Sequence, residues 1–186
     1  MNQIINKKWW STYKMDISYS LFIMVAGTLL HFVYEWSGKN AFAALFSAVN
    51  ESVWEHLKLF FVPAFFFSLL MYYQIGEKKP DYLWYQTKSI LAGLLFIVTM
   101  YYTIMGITQK ENVWVDIGIF YGAAVVAGYI GAKARLRGDK GIQKKKKEGF
   151  GKYAGIILLI LWALFVGFTY HQPVLVITWF PGLFLE

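Results

Sequence analysis

The amino-acid sequence predicts an all-α, polytopic membrane protein: a helical bundle of about five transmembrane helices that forms a single integral membrane domain over residues 1–186. Two observations support this fold class. Of the 186 residues, 58% are hydrophobic and only 16% are charged, whereas soluble domains carry about 25% charged residues. The apolar residues also come in long blocks, and a helix of about 20 such residues crosses the hydrocarbon core of a bilayer.

Five blocks qualify as transmembrane spans: Ile17–Trp36, His56–Ile75, Leu83–Ile104, Val113–Lys133 and Tyr153–Tyr170. Backbone polar groups must find partners inside the protein when they lie in lipid, so each block should be helical. The first block is too long for the apolar region of a signal peptide, and we expect it to be retained. Between the first two spans, the mixed polarity of Ser37–Glu55 predicts an interfacial or re-entrant helix on the outer side.

Basic residues predict the orientation of these spans. Fourteen of the eighteen Lys and Arg residues fall in three segments, which are the N-terminal segment, the loop "GEKKPDY" and the loop "KARLRGDKGIQKKKKEGFGK". Five spans place all three segments on one side, which the positive-inside rule makes cytoplasmic. The chain should therefore lie in the plasma membrane with its N-terminus in the cytoplasm and its C-terminus outside.

The long basic loop has two interpretations. It determines topology, and its "KKKK" run can also bind anionic lipid headgroups. Nucleic acid is not an expected partner, because the loop lacks interleaved aromatic residues and any known nucleic-acid-binding module.

Small residues recur at four-residue spacing along the fourth span. Gly118 and Gly122 form one pair, and Ala124, Gly128 and Ala132 repeat the same spacing in a second set. This pattern predicts a face of close helix packing, either within the bundle or between subunits of a homo-oligomer.

Several ionisable residues, histidines among them, lie on the predicted outer side. His31 and Glu35 lie four residues apart near the outer end of the first span, and hence on one helical face. Ionisable groups at such depths are costly and usually have a partner. In the stretch "SAVNESVWEHLKLFF", Glu51, Glu55 and Lys58 follow one another at helical spacing. Two carboxylates one turn apart repel each other, so a lysine, a proton or a bound cation should neutralise them.

These residues define a candidate site with three roles. The candidate catalytic residues are Glu51, Glu55 and Lys58, the candidate substrate-binding residues are Asn50, Trp54 and Asp116, and the candidate metal ligands are His31, Glu35, His56 and His171. Imidazole and carboxylate groups suit a divalent metal such as zinc, and the chain has no cysteine to serve instead. We expect His31 or Glu35 to lie within direct or one-water reach of the second cluster. In the alternative interpretation, the charged residues form only the solvated face of an interfacial helix.

Three stretches also resemble a family of small bacterial multi-pass membrane proteins of unknown function. They are "HFVYEWSG", "AVNESVWEHLKL" and "YYTIMGI…VDIGIFYG", and the second carries the pattern NES-x-WEH-x-K. The stretch "TYHQPVLVITWFPG" near the C-terminus resembles the family more loosely. The resemblance implies a membrane location and no particular activity.

Two classes of function fit these observations. The first is a membrane-embedded hydrolase or transferase that acts on a lipid, lipid-linked or peptide substrate at the outer face. The second is a component that transports or binds a proton, cation or small solute, or an accessory subunit of a membrane complex.

Overall fold

The protein is described here from a computed structural model, which covers residues 2–74, 80–139 and 150–170, with side chains for residues 13–74, 82–136 and 153–170. Within these ranges it has no strand and forms six helices: α1 Asn2–Trp36, α2 Ala41–Ala44, α3 Val53–Gln74, α4 Pro80–Thr108, α5 Val113–Asp139 and α6 Phe150–Tyr170. The predicted all-α fold class is therefore confirmed.

Five of these helices are long and apolar enough to cross a membrane: Tyr13–Trp36, Val53–Gln74, Tyr82–Thr108, Val113–Leu136 and Tyr153–Tyr170. They correspond one by one to the predicted spans. The second span begins at Val53, three residues before the predicted start. Ser52 explains the difference, because its hydroxyl accepts a hydrogen bond from the Glu55 amide and so caps the helix.

The predicted interfacial helix is much shorter than Ser37–Glu55. After α1, Gly38 and Lys39 both adopt positive φ angles, of 69° and 62°, and these end the helix. Asn40 then caps α2, which covers only Ala41–Ala44. The chain continues without regular helix to Ser52, folded over the start of α3.

The spans run in alternating directions, which gives the bundle two ends. At one end α1, α4 and α6 finish and α3 and α5 begin. Thr169 of α6 meets Glu55 of α3 there, and we call it the histidine end. At the opposite end, which we call the basic end, Arg135 of α5 forms an ion pair with Asp16 of α1.

Helix α3 lies at the centre of the bundle. Of its most apolar window, 72% is buried, compared with 17–28% for the other four spans. Its aromatic side chains, including Phe60, Phe61 and Phe65, fill the core between α1, α4 and α6. A helix that is apolar on all sides is expected in such a position, because every face has a protein neighbour.

The small residues of α5 pack as predicted over only part of its length. Ala124 and Ala132 are buried, and a Cβ on Gly128 would lie 3.1 Å from the carbonyl oxygen of Asp16, so α1 and α5 touch backbone to backbone. A Cβ on Gly122 would lie 3.1 Å from the Phe96 ring, whereas one on Gly118 would have nothing within 4 Å. The close packing therefore lies towards the basic end, and the predicted homo-oligomer stays a prediction.

Candidate functional site

The two histidines that the structure describes meet at the histidine end. His31 comes from the last part of α1 and His56 from the first turn of α3. Their rings lie 5.4 Å apart, centroid to centroid. Glu51, in the loop before α3, reaches both of them: one carboxylate oxygen lies 3.7 Å from Nε2 of His31, and the other lies 3.6 Å from Nε2 of His56. The expected contact between the first span and the second cluster is therefore confirmed.

These three side chains lie close enough together to hold a metal ion. Each offers one ligand atom, and these atoms all lie within 4.8 Å of one another. Nitrogen and oxygen ligands about 2.1 Å from a tetrahedral metal are separated by about 3.4 Å. The observed distances of 3.7 and 3.6 Å, which run to the two different carboxylate oxygens of Glu51, are slightly longer. Both distances are also too long for a good direct hydrogen bond.

The backbone orients His56 for such a role. Nδ1 of His56 lies 3.0 Å from the carbonyl oxygen of Ser52, which can only accept a hydrogen bond. In the neutral imidazole Nδ1 therefore carries the proton, and the lone pair of Nε2 faces Glu51. A lone pair and a carboxylate repel each other unless a proton or a cation lies between them. Metal-binding histidines are typically oriented by this kind of hydrogen bond on the other nitrogen.

The three candidate ligands stand at the mouth of a pocket of about 620 Å³. The lining combines polar groups at the histidine end with apolar side chains deeper in the bundle, such as Leu59, Ile97 and Phe120. Two further carboxylates, those of Glu111 and Asp116, line the same pocket. The pocket is thus polar at one end and apolar at the other.

Glu55 and Lys58 belong to a different arrangement. Their side chains are 2% and 0% exposed and form an ion pair of 2.7 Å. Lys58 also donates to the Ala44 carbonyl and to the Thr169 hydroxyl, at 2.8 and 2.9 Å. Glu55 accepts from the Val49 amide and from the Thr169 hydroxyl. The pair therefore joins α3, α6 and the loop before α3, and neither residue lines the pocket.

Of the other predicted site residues, one lines the pocket and the rest make contacts elsewhere or lie outside the described residues. Asp116 lines the pocket, whereas Asn50 caps the loop by accepting a hydrogen bond from the Ser52 amide. Trp54 packs against Phe165 and Phe168 of α6, with ring centroids 4.7 and 4.9 Å away. Glu35 does not join the cluster; it is 65% exposed and pairs with Lys39 at 3.6 Å. His171 lies outside the described residues.

Sequence reasoning missed two residues of this region. Glu111 lines the pocket from the connection between α4 and α5, and Thr169 contacts both members of the buried ion pair. The position of Glu111, just before the fourth span on the predicted outer side, was a usable signal. Thr169 had none, because threonine is common in membrane helices and its partners are more than 110 positions away.

The fold and the site together define a polytopic helical membrane protein with a histidine–carboxylate cluster at one end. The chain belongs to a family of unknown function, DUF6512, whose model matches residues 1–181. The resemblance to an uncharacterised family is thereby confirmed over nearly the whole chain. No curated protein and no solved structure matches it.

Proposed function

We propose that this protein is a membrane-embedded, metal-dependent enzyme, a hydrolase or transferase, that acts on a lipid or lipid-linked substrate. The observation that carries the proposal is the convergence of His31, Glu51 and His56 at the mouth of a largely apolar pocket. A set of two histidines and one carboxylate is a common ligand set of catalytic zinc, and it leaves coordination positions open for water and substrate.

The chemistry follows from this set of ligands. A divalent metal polarises its bound water and makes a nucleophile available near neutral pH, and it also polarises a carbonyl or phosphoryl oxygen of the substrate. Asp116 is a candidate substrate-binding residue, because its half-buried carboxylate lines the same pocket. In this proposal Glu51 acts as a ligand, and Glu55 and Lys58 hold the loop that carries it.

The metal content of the purified protein tests the proposal. Protein prepared without chelators or an immobilised-metal column should contain about one equivalent of a divalent metal, measured by inductively coupled plasma mass spectrometry. His31→Ala, His56→Ala and Glu51→Gln should each lower metal affinity by about 10- to 100-fold or more, since the loss of even an orienting partner costs that much.

Glu35→Gln is the matched control, because Glu35 lies one turn from His31 but pairs with Lys39 outside the cluster. It should retain the metal. Protein that holds no metal when supplied with zinc, manganese or iron, or variants that bind metal as well as the parent, would refute the metal centre.

A second candidate is a cation- or solute-binding component of a transport system. The 69% exposure of the Glu51 side chain favours it, because an exposed ligand lets a bound cation exchange with water. The enzyme and the binding component differ in whether they convert a substrate into product. Metal-loaded protein incubated with extracted membrane lipids should release products detectable by mass spectrometry if it is an enzyme. Metal that exchanges rapidly without any product would favour the binding component.

We further propose that the membrane is the plasma membrane, with the basic end in the cytoplasm and the histidine end outside. The distribution of lysines and arginines along the sequence supports this orientation. The site would then receive its substrate from the outer leaflet, and the cytoplasmic basic loop would contact anionic headgroups.

A further inference from the structure

The seam between α1 and α5 changes along its length. At the basic end, Asp16 and Arg135 form an ion pair, and the Ser20 hydroxyl donates to the Ala124 carbonyl at 2.8 Å. Towards the histidine end, a contact of 3.4 Å between the hydroxyls of Thr28 and Tyr121 joins the two helices. A hydrogen bond of that length is weak. The seam therefore has strong polar links at the basic end, whereas near Thr28 it is closed by the packing of the Phe120 ring against Gly27 and by this weak hydrogen bond.

The part of the seam at Thr28 and Tyr121 is also a wall of the pocket. Thr28 and Tyr121 both line the pocket, and both side chains are exposed. Phe32, which also lines the pocket, is 45% exposed. Thr28 lies eight residues before the end of α1 and Tyr121 eight residues after the start of α5. At 1.5 Å per residue, both lie about 12 Å from the helix ends, within the hydrocarbon depth of one leaflet.

The charges at the mouth of the pocket restrict the ligand. The described lining residues include three carboxylates, those of Glu51, Glu111 and Asp116, and no lysine or arginine. A bound divalent cation would leave this mouth with one net negative charge. A purely anionic headgroup would therefore meet repulsion, whereas a headgroup with both an anionic oxygen and an ammonium group would match the metal and the two remaining carboxylates.

We propose that the pocket takes a zwitterionic phospholipid that carries a phosphate and an ammonium group, and that the lipid arrives sideways from the bilayer through the α1–α5 seam at Thr28 and Tyr121. This inference rests on the proposed function and names its substrate class. The phosphate binds at the metal, the ammonium group lies against Glu111 and Asp116, and an acyl chain fills the apolar part of the pocket.

Lipid selectivity tests the headgroup assignment. Detergent-solubilised, metal-loaded protein is given an equal mixture of phosphatidylethanolamine and phosphatidylglycerol with identical chains, and bound lipid is counted by native mass spectrometry. The expected result is a preference of about tenfold for phosphatidylethanolamine, the ratio that one favourable charge contact shielded from water supplies. The double variant Glu111→Gln/Asp116→Asn should lose the preference, and Glu35→Gln should keep it. Equal binding of the two lipids by the parent, or an unchanged preference in the double variant, would overturn the assignment.

A covalent cross-link between α1 and α5 tests the proposed route by which the lipid enters the pocket. The chain has no cysteine, so Thr28→Cys/Tyr121→Cys introduces one unique pair of thiols. A reducible bis-methanethiosulfonate linker across the pair should block lipid loading, and reduction should restore it. Each single-cysteine variant treated with the same reagent is the control. Loading that proceeds equally with the tether in place would overturn the lateral route. Metal content is measured in every sample: loss of the metal would count against the proposed function, whereas unblocked loading with the metal retained would count against the route alone.

Discussion

Replacement of Lys58 by methionine should destabilise the protein more than the loss of any surface charge. The Lys58 ammonium has three donors and the structure gives each a partner: Glu55 at 2.7 Å, Ala44 at 2.8 Å and Thr169 at 2.9 Å. In Lys58→Met, the buried Glu55 carboxylate keeps the Val49 amide and the Thr169 hydroxyl but loses its counter-charge. Removing one partner of a buried ion pair costs about 3–5 kcal/mol.

A double-mutant cycle separates the pair from its surroundings. Glu55→Gln removes the charge that Lys58→Met leaves unpaired, so the double variant should be more stable than the sum of the single losses predicts. For groups in direct contact, the difference should be about 1–3 kcal/mol. The measurement is reversible unfolding in mixed micelles of increasing sodium dodecyl sulfate content, followed by circular dichroism.

Lys39→Met provides the matched control for this cycle. Lys39 also forms a lysine–glutamate pair, with Glu35 at 3.6 Å, but both side chains are 65% exposed. Its loss should cost at most about 1 kcal/mol, because surface pairs are screened by water. If Lys58→Met is no more costly than Lys39→Met, or if the two changes at Glu55 and Lys58 are additive, the buried pair does not hold α3 and α6 together. That result would instead favour the predicted catalytic role of Glu55 and Lys58.

Two further predictions concern packing and orientation. Gly128→Leu should lower the free energy of unfolding in the same micelle assay, because its Cβ would lie 3.1 Å from the Asp16 carbonyl, whereas Gly118→Leu should be neutral because nothing lies within 4 Å. Equal effects of the two changes would contradict the backbone contact between α1 and α5. A cysteine placed at Gln143 in the cysteine-free chain should resist impermeant thiol reagents in intact cells and react after lysis, and labelling in intact cells would reverse the proposed orientation.

The five spans could be predicted because each depends on the hydropathy of one local block. Their boundaries depended on finer signals. The earlier start of α3 follows from Ser52, which begins the sequence S-V-W-E, a pattern typical of a helix N-terminus. The break between α1 and α2 depends on backbone angles at Gly38 and Lys39, and a lysine residue does not by itself indicate a positive φ.

The meeting of His31 with Glu51 and His56 could also be expected, since a short connection joins their two elements and places them at one end of the bundle. Long-range pairings could not. Glu55 meets Thr169, 114 positions away, and Asp16 meets Arg135, 119 positions away. Such contacts depend on which helices become neighbours, and a single sequence carries no local pattern for that choice. Local spacing instead placed Glu35 beside His31, where the structure turns it towards Lys39.

The uneven seam between α1 and α5 has a mechanical consequence. The backbone contact at Gly128 and the ion pair of Asp16 with Arg135 hold α1 firmly against α5 at the basic end. Thr28 lies twelve residues after Asp16 on α1, which is about 18 Å along the helix axis. If α1 tilted by about 5° about its end at Asp16, Thr28 would move by about 1.6 Å. This shift is enough to break its hydrogen bond to Tyr121, which is already 3.4 Å long. Because His31 lies beyond Thr28 on the same helix, a tilt of α1 that separates it from α5 would also change the distance from His31 to Glu51.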